Sequence, residues 1–127
     1  MSYTLVFKKN GVEILSLGTG HSLAVAFQNK PYDDFKPMEQ HEFADAMHTL
    51  IRHDESLEDD AEMLNKMLEH LTDWEKMWEI VTRLNDIKHE RRDIAKAKVM
   101  LEMLEMIWEE GKYSDDGDKS GLEWAVL

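Results

Sequence analysis

The chain has 127 residues, a formal net charge of −12 and no cysteine. That length suits one domain, and the missing thiols exclude disulfides, thiolate zinc sites and cysteine nucleophiles. The negative charge argues against contact with a nucleic-acid backbone or an anionic membrane through the whole surface, while it suits a basic protein surface.

The N-terminal third reads as strands. Tyr3-Thr4-Leu5-Val6-Phe7 and Val12-Glu13-Ile14-Leu15-Ser16-Leu17 flank Asn10-Gly11, and both turn residues tolerate the positive φ of a type I′ turn. A hairpin over 3–17 follows. Residues 21–28 suit either a short helix or another strand, since periodicity does not separate the two in so short an apolar run. Gly18 and Gly20 lack the third glycine or lysine of a phosphate loop. Residues 29–37 hold both prolines and read as a loop.

Helices are expected from there on. Pro37 suits a first helical turn, and Phe43, Met47, Leu50 and Ile51 keep helical spacing over 38–53. Asp54-Glu55-Ser56 reads as an interruption, with Ser56 capping a second helix over 57–71. Thr72 and Glu75 have the spacing of a capping box, which opens a third helix over 73–110. One straight helix in place of the last two is the alternative, because 56–110 contain neither Gly nor Pro. Two apolar stripes run through this region. Leu64, Met67, Leu71, Trp74, Trp78 and Val81 step by three and four before reaching polar Asn85. Met77, Ile80, Leu84, Ile87, Ile94, Leu101 and Trp108 form the other. A helix over 73–110 is about 57 Å long at 1.5 Å per residue, longer than a compact domain of this size is wide. A homodimer through the long helices is the economical expectation.

Gly111 fits a helix C-cap, and 113–121 read as an acidic loop. Leu122, Trp124 and Val126 alternate with Glu123 and Ala125, a strand pattern. The expected fold class is α+β. An N-terminal β-hairpin and a C-terminal strand form a small antiparallel sheet on a body of three helices, the last very long.

Three constellations could carry chemistry. His41, Asp45 and His48 share one helical face at i, i+4 and i+7, the spacing of a metal site and hence of a metal-dependent hydrolase. His53-Asp54 matches the dipeptide of one phosphohydrolase class but lacks that class's other ligands, and Glu102 with Glu105 lacks the second half of a magnesium set. The third constellation is a change of charge. Residues 54–79 hold ten acids against two bases, 80–98 hold six bases against three acids, and 99–127 hold eight acids against two bases. This belt reads either as charge pairing that fixes the register of an antiparallel helix, or as an anion site. In the second reading Arg83, Lys88, His89, Arg91 and Arg92 hold a nucleotide and Trp78 stacks on its base. No cofactor is expected. With no complete catalytic set, the chain reads as a non-enzymatic, acidic, cytoplasmic interaction protein that binds and blocks or scaffolds another macromolecule. Phage and mobile-element inhibitors of host defence or nucleic-acid enzymes often share this build.

Overall fold

The computed structural model describes residues 3–27, 34–112 and 121–127. The strands are β1 (Thr4–Lys9), β2 (Val12–Gly18), β3 (Lys36–Pro37) and β4 (Leu122–Val126). The helices are α1 (Ser22–Phe27), α2 (Gln40–Glu69) and α3 (Trp74–Lys112). The fold is α+β, with one antiparallel sheet in the order β2-β1-β4-β3. Of the two expected loops, residues 29–33 and 113–120 lie outside the described residues.

Asn10 and Gly11 take φ of 52° and 82°. They close the two-residue turn between paired Lys9 and Val12, as their tolerance of positive φ requires. The ladder shifts between Phe7 and Lys8, which face Leu15 and Glu13, so Ile14 is the extra residue of a bulge. The C-terminal strand pairs with β1 on the side away from β2 and is an inner strand of the sheet. Leu122, Trp124 and Val126 are buried on its alternate positions. Residues 22–27 are a helix, and the His21 Nδ1 accepts the Leu23 N–H at 3.1 Å to cap it.

Pro37 belongs to β3 and not to a helix. The edge of the sheet tolerates its missing N–H, and the Met38 N–H continues the pairing to the Leu122 carbonyl. Glu39 then precedes α2, and the Glu42 carboxylate accepts the Glu39 N–H at 2.9 Å, one half of a capping box.

The expected break at 54–56 does not exist: α2 runs unbroken for 30 residues, so 38–53 and 57–71 are one helix and Ser56 caps nothing. The reason lies in heptad spacing. Phe43, Met47, Leu50, Asp54, Leu57, Ala61, Leu64, Leu68 and Leu71 step by four and three and are all at least partly buried, so Asp54 is a seam position. The chain does turn at 70–73. Its cap is Asp73, whose Oδ1 accepts the Glu75 N–H at 2.9 Å, and not the Thr72–Glu75 pair. Gly111 lies inside α3, which continues to Lys112.

α2 and α3 therefore form an antiparallel helical hairpin with coiled-coil spacing. On α3 the seam is Met77, Ile80, Leu84, Ile87, Arg91, Ile94, Lys98, Leu101, Glu105 and Trp108, all at least partly buried. α1 packs on both long helices. The sheet joins the core at the end of the hairpin holding Phe43, Leu50, Leu101 and Leu104. Between Leu57 and Ile80 no residue is fully buried, so the far end of the hairpin projects.

One polar group sits in that core. Glu42 is 1% exposed. Its Oε2 accepts the Trp124 indole N–H at 3.1 Å as well as the Glu39 N–H. The Lys36 ammonium lies 2.8 Å from Oε1 as an ion pair without directed hydrogen-bond geometry. The Trp108 indole N–H donates to the Met38 carbonyl at 2.7 Å, and the Phe43 and Trp108 rings meet edge to face at 5.9 Å. These contacts tie the start of α2 to β3, β4 and the end of α3.

Candidate functional site: the bare face of the helical hairpin

The charge belt meets α2 of its own chain. Arg91 forks onto Asp54, with Nε to Oδ1 at 3.0 Å and Nη2 to Oδ2 at 3.3 Å, and Nη2 also lies 3.7 Å from Glu58. A polar pair at facing seam positions opposes register slippage, since any shift leaves both charges against apolar neighbours. The hydrogen bond from Arg91 holds the Asp54 carboxyl below the usual carboxylate range. Burial opposes this, and the charges of Arg91, Lys98 and His53 add to it. Because the folded pKa is depressed, the pair's stabilisation is present above the unfolded value of about 3.9 and is lost as pH falls through the folded one. Asp54→Asn should therefore lower stability at neutral pH by up to about 1 kcal/mol. The gap to wild type should close in urea melts run at progressively lower pH below about 4. A gap independent of pH would remove the ion pair as its cause.

Beside this pair a groove of 570 Å³ runs between the two helices. It is lined by Ala61, Leu84, Ile87 and Ala95 together with Asp54, Asn65, Lys88, Arg91, Arg92 and Lys98. The alanines create the depression, and four cations face two acids counting nearby Glu58. Among the described residues, Lys88 and Arg92 have no acidic partner. The other residues of the expected anion site lie elsewhere. Arg83 pairs with Glu90 at 3.3 Å, and His89 is exposed on the side of α3 away from its seam. Trp78 stacks on Trp74 at 5.8 Å with rings 5° from parallel. It precedes Lys88 by ten residues, about 15 Å along the helix.

His41, Asp45 and His48 are three exposed side chains on α2, and His41 Nδ1 lies 3.3 Å from Glu39. Among the described residues, no group of three or more His, Cys, Asp or Glu side chains is placed to hold a metal ion. His53-Asp54 lies in mid-helix, and its aspartate is spent on Arg91. No described helix is long and apolar enough to cross a membrane.

The main surprise concerns the two apolar stripes. The one through Ile80 and Ile94 is buried against α2, and most of the one through Trp74 is bare. On α3 the bare stripe keeps heptad spacing along its whole length: Trp74, Trp78, Val81, Asn85, Lys88, Arg92, Ala95, Val99, Glu102, Met106 and Glu109, every one exposed. Trp74 is 71% exposed, Trp78 60%, Val99 55% and Met106 60%. On α2, Ile51 is exposed on the matching flank of the seam. No protein-family model matches the chain, and no curated protein or solved structure matches it either.

Proposed function

We propose that this chain is a non-enzymatic protein-interaction module. It assembles as a homodimer through the bare face of α3 and binds, and so blocks or scaffolds, a basic macromolecular partner. The carrying observation is the bare stripe: a second, heptad-spaced face that α2 leaves uncovered, with two of the hairpin's three tryptophans on it. Single exposed apolar residues need no explanation, but a contiguous face is the signature of an interface.

Its shape supports the same reading. A compact monomer of 14.9 kDa exposes about 7,000 Å², and this chain exposes 8570 Å². The projecting end of the hairpin presents the stacked Trp74 and Trp78 beyond the sheet. Tryptophan dominates binding hot spots because one rigid ring buries a large area at little entropic cost. Glu55, Asp59, Glu62 and Glu69 are exposed along the neighbouring stretch of α2 and supply the charge that a basic partner would meet.

Co-purification from the source cell tests the reading. Tagged wild type should retain a basic protein that is released by salt, and Trp74→Ala/Trp78→Ala should lose it at least tenfold. Both substitutions lie on exposed positions, so an unchanged circular-dichroism melt would separate lost docking from lost folding. Equal retention by wild type and variant would sink the assignment of the tip.

A further inference from the structure

We infer that the basic groove between α2 and α3 is the receptor for Glu102 of a second copy of this chain, which fixes an antiparallel, two-fold α3–α3 interface centred between Ala95 and Val99. This rests on the self-association proposed above and specifies its register. The argument is charge complementarity along one helical face.

An antiparallel pair of identical helices sets each stripe position against its mirror about the two-fold axis. With the axis at residue 97, Ala95 faces Val99 of the other copy, Arg92 faces Glu102 and Asn85 faces Glu109. Lys88 lays its aliphatic stem along Met106, with its ammonium within reach of Glu109. Small Ala95 at the axis lets the two backbones approach closely. Every cation in this register meets an acid, and each pair occurs twice by symmetry.

The neighbouring heptad registers lack this property. Sliding the axis half a heptad toward the N-terminus brings Arg92 of both copies together near the two-fold. Sliding it the same distance toward the C-terminus brings both Glu102 carboxylates there instead. Like charges meeting in an interface oppose association, so the pattern selects one register. The groove explains the receptor side. Lys88 and Arg92 lack acidic partners within the described residues, and Ala61 and Ala95 leave room for an incoming carboxylate. Arg91 stays with Asp54. The groove that α3 makes with β2, lined by Leu15, Met100, Met103, Leu104 and Ile107, opens on a neighbouring side of the helix.

A charge-swap experiment read by sedimentation velocity decides it, with circular dichroism confirming that each variant is folded. Wild type should sediment as a dimer. Arg92→Glu sets carboxylate against carboxylate at both symmetry-related contacts, and Glu102→Arg sets guanidinium against guanidinium there. Each single variant should therefore dimerise at least tenfold more weakly.

 In the mixed dimer the two carboxylates of the Arg92→Glu chain face the two guanidinium groups of the Glu102→Arg chain, so opposite charges return at both contacts. An equimolar mixture of the two variants should therefore restore the dimer. A wild type that is monomeric at every concentration overturns the self-association reading and the register with it. A wild-type dimer that neither single variant weakens, or single-variant losses that mixing fails to repair, overturns the register and leaves self-association standing. Dissociation by Trp74→Ala/Trp78→Ala but not by Arg92→Glu would place the two-fold at the hairpin tip and likewise overturn it.

Discussion

Glu42→Ala should lower folding stability by about 3–5 kcal/mol, the usual penalty for removing one partner of a buried, hydrogen-bonded charge pair. The loss has several parts that act together. The Trp124 indole N–H, in a side chain with no exposed surface, loses its acceptor. The Glu39 N–H loses the side chain that caps α2, and the Lys36 ammonium, 29% exposed, loses its carboxylate. An unpaired buried donor carries its full desolvation cost. Since domains of this size are stable by about 5–15 kcal/mol, the alanine variant should be close to unfolding at ambient temperature. Urea denaturation followed by tryptophan fluorescence measures it. Glu42→Gln can keep its amide oxygen where Oε2 accepts both N–H groups while surrendering the ion pair with Lys36, and it should fall between wild type and alanine. A loss below about 1 kcal/mol for Glu42→Ala would mean that water replaces the carboxylate without strain.

This cluster was hidden from sequence reading for a definite reason. Glu42 ends a polar run that begins at Glu39, and its burial is decided by Trp124, 82 residues away. Local signals were more legible. Asn10-Gly11 specified the hairpin, and the alternation of Leu122, Trp124 and Val126 specified the closing strand. Asp73 closes the turn between the long helices in the place where Thr72–Glu75 spacing marked one. The error at 54–56 has the same origin as the miss at Glu42. Three consecutive polar residues imitate a helix boundary, but Asp54 is neutralised by Arg91 across the hairpin, and no local window contains that partner. The anion belt was visible as composition. The sequence alone could not say that α2 of the same chain would answer Arg91 while leaving Lys88 and Arg92 open.

The choice between the two stripes of α3 predicts the second large effect. Ile94→Ala should cost about 2–5 kcal/mol, since Ile94 has no exposed surface and truncation leaves a cavity in the seam. Val99→Ala, on the bare stripe at 55% exposure, should change the stability of the dilute protein by no more than about 0.5 kcal/mol. Side-chain size does not decide between the stripes, because Trp74 and Trp78 lie on one and Trp108 on the other. The buried seam is decided by continuity instead. It carries isoleucine or leucine at Ile80, Ile87, Ile94 and Leu101 up to the sheet, whereas the tryptophan stripe runs into Asn85, Lys88 and Arg92. Similar losses for the two variants in dilute solution would reverse that assignment. Concentration then adds a second reading to the same pair. Association stabilises the folded state by mass action, so raising the protein concentration should leave the cost of Ile94→Ala nearly constant and enlarge that of Val99→Ala. That divergence would assign Ile94 to the fold and Val99 to assembly.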